Sequence, residues 1–244
     1  MVYYSQKQSH AAEKESFMKI QGAIFDMDGT LIDSLSFWDC FWHDMGERYF
    51  KDPTVRIDAV HFDTYVRTMI FGQAISYIHS YLGVPCSAEE FEAFASAYVN
   101  RFYSTVIIAK PGARELLRAL RERGVRVCLA SATDRCYLDV ALKSCHLSEF
   151  FTPETVISCS DIGVGKEKPD VFWAALEVLG TPLCETAVFE DSALALQTAK
   201  KAGFVTVGVY DSHQTAKDRV SAASDIYLGE GKTLIDVLEH IEIE

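Results

Sequence analysis

The sequence predicts an α/β protein: a doubly wound parallel sheet with a second, smaller all-α segment inserted after the first strand. Three observations predict it. Short apolar runs alternate with helical patterns through the second half of the chain. Those runs are almost continuously apolar, as strands covered on both faces are. The rhythm fails between about residues 34 and 108, where aromatic residues recur at helical spacing and no strand pattern is found. A length of 244 residues, 49% hydrophobic and 24% charged, suits one α/β core carrying a smaller domain.

Residues 1–18 are mostly polar, of mixed charge, and read as an N-terminal tail without the apolar stretch of a secretory signal. Ala23-Ile24-Phe25 is the first strand; it runs into Asp26-Met27-Asp28-Gly29-Thr30, where acids and glycine replace hydrophobes. The segment 34–108 reads as a helical cap, with Phe37, Trp38, Phe41 and Trp42 and then Phe91, Phe94, Ala95 and Tyr98 at helical spacing. The core is left after Asp33 and rejoined near Lys110-Pro111-Gly112, so it comprises 19–33 and 109–244. Helices are expected over 113–122, 135–144, 170–179 and 193–202, three of them followed closely by Gly124, Gly180 and Gly203. Further strands are expected at 125–130, 155–158, 187–189 and 205–209. In such a sheet ligands sit beyond the carboxyl ends of the strands, and the polar clusters at Asp26, Ser131 and Glu190-Asp191 fall at those ends.

A net charge of -12 disfavours nucleic acid and anionic membrane partners, so an anionic small molecule must be held by local cations. Seven cysteines without a C-x-x-C pair suit reduced thiols, and no apolar run is long enough to span a bilayer. A cytoplasmic protein, monomeric or weakly dimeric, is expected.

The chemistry concentrates at Asp26-Met27-Asp28-Gly29-Thr30. Two aspartates one residue apart on extended backbone project to the same side and can share a site, and the glycine lets the chain turn tightly. An acidic turn is the competing reading of that motif alone, at roughly even odds. It does not stand alone. Asp26 to Leu31 resembles the first motif of the haloacid dehalogenase superfamily, in its helical-cap phosphatase and phosphomutase branch, and three further motifs follow in order. Leu129-Ala130-Ser131-Ala132-Thr133 resembles the second, Gly165-Lys166-Glu167-Lys168-Pro169-Asp170-Val171-Phe172 the third, and Val188-Phe189-Glu190-Asp191-Ser192 the fourth.

The resemblance implies a Rossmann-like core and a Mg²⁺-dependent phosphatase acting through an aspartyl-phosphate. It implies Asp26 as nucleophile and Asp28 as acid and base. Asp26, Asp28, Glu190 and Asp191 would be the metal carboxylates. Ser131 and Lys166 would hold the phosphoryl group, with Lys168 as the rival lysine, and Gly29, Thr30 and Ala132 would lie beside it. Ser34 and Trp38 are placed where similar enzymes contact substrate. These roles are chemically coherent: a carboxylate approaches an anionic phosphorus only if cations neutralise the charge between them, and Mg²⁺ prefers oxygen ligands. Arg67, Lys51 and Arg101 are candidates for the distal part of the substrate. The substrate expected is a small phosphorylated metabolite of the sugar phosphate or phosphoglycolate type.

Two departures from the family pattern matter. β-Phosphoglucomutases carry a histidine in the first cap helix where Trp38 stands, which favours hydrolysis over mutase chemistry. Ala195 replaces a customary glycine. Dehalogenation is disfavoured because such members lack the second aspartate and the metal acids. A non-catalytic binding protein would have lost motif residues, and none is lost. Gly229-Glu230-Gly231-Lys232-Thr233 ends like a P-loop but has Ile226 where the first glycine belongs, and the seven histidines show no ligand spacing.

Overall fold

The computed structural model describes residues 18–214 and 217–243; the expected tail lies outside them except for Met18. The sheet at its centre has six parallel strands: β1 (Gly22–Phe25), β2 (Arg126–Ser131), β3 (Val156–Ser158), β4 (Thr186–Glu190), β5 (Val205–Val209) and β6 (Ile226–Leu228). They lie in the order β3-β2-β1-β4-β5-β6, which reverses between β1 and β4. A doubly wound sheet opens its ligand crevice at that reversal. All residues of β1 and β4 are buried, and Phe25 stacks on Phe189 across the two strands with ring centroids 4.3 Å apart. Burial on both faces is why these strands read as unbroken apolar runs instead of alternating ones.

After β1 the chain leaves the core through Ile32–Asp33 and returns through Ile108–Ala109, and these two segments pair antiparallel. Between them lie α1 (Ser36–Tyr49), a helical turn Ala59–His61, a π-helical turn Phe62–Val66, α2 (Phe71–Leu82) and α3 (Ala88–Thr105). Their shared interior is aromatic: Phe41, fully buried, meets Trp42, Phe91, Phe94 and Tyr98 at centroid separations of 5.6–6.2 Å. Ser87 caps α3 by accepting from the Glu90 N–H at 3.2 Å, which satisfies one of the donors a helix start leaves open.

Core helices α4 (Ala113–Glu122), α5 (Arg135–Ser144), α6 (Asp170–Leu179) and α7 (Ala193–Ala202) stand where the 3.6-residue pattern predicts them. On α4 the buried stripe is Ala113, Leu116, Leu117 and Leu120. Gly112 precedes it with φ +80°, and a Cβ there would come within 2.8 Å of the Ile235 nitrogen, so the re-entry point needs glycine twice over. The sequence reading missed β6 and α8 (Lys217–Ala223), which are too short for a period to declare itself. It also placed Met18 in the tail, whereas Met18–Lys19 pairs parallel with Ile241–Glu242. Among the described residues no helix is long and apolar enough to cross a membrane.

Candidate active site

Asp26 is the first residue beyond β1, tied to the sheet by its N–H donating to the Phe189 carbonyl at 2.9 Å. Its side chain is buried. The chain then turns sharply at Gly29, whose φ of +78° suits glycine and whose N–H donates to the Ile32 carbonyl at 3.1 Å. A Cβ at Gly29 would fall 2.5 Å from Asp191 Oδ2, so the missing side chain is also what admits Asp191.

Glu190 ends β4 and Asp191 follows it. Carboxylate oxygens of Asp26, Glu190 and Asp191 lie within 4.8 Å of one another, and all three residues are buried. Lys166, 3% exposed, donates from Nζ to Asp26 Oδ1 and, at 2.5 Å, to Glu190 Oε1. The other Glu190 oxygen accepts from the Ser192 N–H at 2.9 Å. Arg67 reaches in from the inserted helices: its Nη1 donates to Asp191 Oδ2 at 2.8 Å, and its Nε lies 3.7 Å from Asp63. The π turn sets this reach, because it ends with the Arg67 N–H donating five residues back to the Phe62 carbonyl at 3.0 Å.

The charges in this cluster are unbalanced. Four carboxylates lining the cleft, Asp26, Asp28, Glu190 and Asp191, face two cations, Lys166 and Arg67, a surplus of two negative charges. Burial pushes Asp26 well above the usual carboxylate range, with Lys166 opposing and Glu190, Asp191 and Asp28 adding to the rise. Burial raises Asp191 to about 6, with Arg67 opposing and Glu190 adding to the rise. Burial alone would lower Lys166, but Asp26 and Glu190 outweigh it and hold the ammonium charged well above its ordinary range. A buried all-oxygen donor set with surplus negative charge is the kind of site a hard divalent cation such as Mg²⁺ takes.

Asp28 is held differently. Oδ1 accepts from Ser34 Oγ at 2.7 Å and from Tyr103 Oη at 2.5 Å, and Oδ2 accepts from Thr133 Oγ1 at 2.9 Å. Its carboxylate lies outside the group formed by Asp26, Glu190 and Asp191 and is aimed by hydroxyls from three separate parts of the chain. Ser131, at the end of β2, is buried in the same cleft and accepts from the Thr133 N–H at 3.1 Å.

Ser34, Trp38, Ser131 and Ala132 also line this cleft, whose empty volume with its open mouth is about 710 Å³. Gly29 and Thr30 do not line it: the Thr30 N–H donates to the Met27 carbonyl at 3.3 Å, so the turn uses the donors expected to meet an anion. Lys168 is exposed while Lys166 meets Asp26. Of the three cap cations, Arg67 enters the cleft, whereas Lys51 and Arg101 are exposed. Sequence reasoning missed Tyr103 and gave no separate role to Thr133. Thr133 lay in the quoted second motif. Tyr103 stands four residues after Val99 on the buried stripe of α3, where a phenol has to find a polar partner.

The family model described as haloacid dehalogenase-like hydrolase matches residues 20–203. Protein SUPPRESSOR OF QUENCHING 1, chloroplastic, of Arabidopsis thaliana is 30% identical over 202 residues, which is 78% of this chain but 18% of that protein. A phosphorylated carbohydrates phosphatase of Thermotoga maritima is 24% identical over 225 residues, 91% of this chain and the whole of that one. The crystal structure of CbbY from Rhodobacter sphaeroides in complex with phosphate superposes with a TM-score of 0.69 at 19% identity, covering 86% of this chain and 93% of that one.

Proposed function

Because this chain belongs to the haloacid dehalogenase-like hydrolases, we propose that it is a Mg²⁺-dependent phosphatase cleaving the phosphate ester of a small metabolite through an aspartyl-phosphate on Asp26. The observation that carries this reading is the setting of Asp26: a buried carboxylate between a charged lysine and two further acids, with a second carboxyl two residues on held by its own donors. The Thermotoga maritima relative, named as a phosphatase of phosphorylated carbohydrates, supports a small phosphorylated metabolite as the substrate.

An oxygen of Asp26 bonds to phosphorus as the bond from phosphorus to the ester oxygen breaks, and the leaving oxygen takes a proton from Asp28. In the second half Asp28 takes a proton from water, which attacks the aspartyl-phosphate, releases inorganic phosphate and restores Asp26. Lys166 and the Ser131 hydroxyl hold the non-bridging oxygens through both transfers. Asp26, Glu190 and Asp191 would hold the magnesium ion, which supplies positive charge between carboxylate and phosphate when bound. The inserted segment 34–108 acts as the lid. The Phe71 N–H donates to the Ala132 carbonyl at 3.3 Å and Asp39 meets His213 Nδ1 at 2.9 Å, so a closed lid excludes bulk water from the cleft. Trp38, standing where a mutase histidine would be, favours water over a sugar as acceptor. The seven free cysteines support a reducing, cytoplasmic setting.

Release of inorganic phosphate from a panel of phosphate monoesters, with Mg²⁺ and with chelator, tests the reading. Turnover that needs Mg²⁺ and disappears in Asp26→Asn supports it; no release from any ester removes it.

A further inference from the structure

The cleft carries information about the leaving group as well as the phosphate. Its inner end is polar, but the wall furnished by the inserted helices is built from Leu35, Val66, Met69, Phe71, Ala74 and Val99. Among the described residues the only cations lining the cleft are Lys166 and Arg67, and both are committed to carboxylates: Lys166 to Asp26 and Glu190, Arg67 to Asp191 and Asp63. Most of the hydroxyls are committed as well, those of Ser131 and Ser192 excepted. Those of Ser34, Tyr103 and Thr133 donate to Asp28, and that of Thr68 donates to the Tyr65 carbonyl at 3.2 Å.

In the adjoining cleft, which shares Leu35, Trp38 and Arg67 with the first, Asp39, Asp58 and Asp63 face Arg56, Arg67 and His213, and His213 Nδ1 lies 2.9 Å from Asp39. A carboxylate or a second phosphate on the substrate would therefore face an apolar wall that carries no cation of its own beyond Arg67. Burying a charge without a partner is among the costliest events in a protein interior.

Resting on the phosphatase reading above, we propose that the preferred substrate is a monoester bearing one phosphate on an uncharged, largely apolar alcohol. A polyhydroxylated leaving group would lose hydrogen bonds to water along the apolar wall, and a leaving group with its own anionic centre fares worse. An apolar pocket rejects an added hydroxyl by roughly 10²-fold at most, so neutral sugar phosphates stay measurable and anionic ones fall further.

The test is the ratio of kcat/KM values, with Mg²⁺, for isobutyl phosphate, glycerol 1-phosphate, a hexose 6-phosphate, 2-phosphoglycolate and a hexose bisphosphate. The polyol, hexose and glycolate hydroxyls are more acidic than that of isobutanol and leave more readily, so a preference for isobutyl phosphate reports the wall and not the chemistry. The order expected is isobutyl phosphate first, the neutral polyols about tenfold or more behind, and phosphoglycolate and the bisphosphate at least about 10²-fold behind. Phosphoglycolate or the bisphosphate matching isobutyl phosphate overturns the inference while leaving the phosphatase reading intact; no release from any ester overturns both. Met69→Lys supplies the cation the wall lacks, and it should narrow the gap between phosphoglycolate and isobutyl phosphate about tenfold or more. The corresponding phosphonates, scored by the rise in melting temperature they produce, should rank the wild-type protein's preferences in the same order without turnover.

Discussion

Lys166→Met removes a positive charge from the centre of an acidic cluster while keeping a side chain of similar length. The residue is 3% exposed and donates to both Asp26 and Glu190, so its loss leaves two buried carboxylates without their common cation and a third, Asp191, close by. Breaking a buried ion pair by removing one partner costs about 3–5 kcal/mol. For a chain of this size about 1 kcal/mol corresponds to 2–4 °C, so the melting temperature should fall by roughly 6–20 °C in chelator. Differential scanning calorimetry at neutral pH measures this directly. Mg²⁺ should restore more of the loss in the variant than it adds to the parent, because the surplus of negative charge is larger. Lys168→Met, at an exposed position, should stay within about 0.5 kcal/mol of the parent. A loss below about 1 kcal/mol for Lys166→Met, or equal losses for both lysines, would refute the claim that Lys166 balances the cluster.

Asp191 keeps its proton to about pH 6 in the folded protein, whereas an unfolded aspartate releases it near pH ~3.9. The folded form then binds more protons between those limits, so this residue makes the metal-free protein lose stability as pH rises from about 4 to 6, with no further change above. Urea unfolding in chelator across that range should show the decline, and Asp191→Asn should lessen it, leaving the part that the raised Asp26 contributes. Tyr103→Phe takes away one of three donors to Asp28 and should lower kcat for alkyl phosphates roughly tenfold. It should spare p-nitrophenyl phosphate, whose leaving group needs no proton; equal losses on both would mean the phenol serves packing alone. Gly29→Ala forces a side chain onto a φ of +78° and against Asp191 Oδ2, and should cost about 1–3 kcal/mol together with most of the Mg²⁺-induced rise in melting temperature.

Much of this architecture was legible because the governing signals are local. Helices over 113–122, 135–144, 170–179 and 193–202 announce themselves through apolar period, three of them also through closing glycines, and β1 and β4 through burial on both faces. The residues the sequence placed at strand ends, Asp26, Ser131, Glu190 and Asp191, are the ones the sheet brings to one crevice. What could not be read was contact across distance. Tyr103 lies 75 residues from Asp28, and Arg67 lies 124 from Asp191; no spacing rule links them. The direction of the Asp28 carboxylate was equally hidden, since a two-residue offset from Asp26 puts both on one side but does not say which neighbours will hold each. Trp38 was read as core or as a substrate contact; it is half-buried against Phe62, with ring centroids 4.7 Å apart, and lines the cleft.

The central claim is that Asp26 itself becomes phosphorylated. Acid-quenched samples taken during turnover, digested and analysed by mass spectrometry, should place one phosphoryl group on the peptide containing Asp26 and on no other. An Asp26→Asn protein that still turns over its best ester at the parent rate, or a phosphoryl group found on a different residue, would contradict the account.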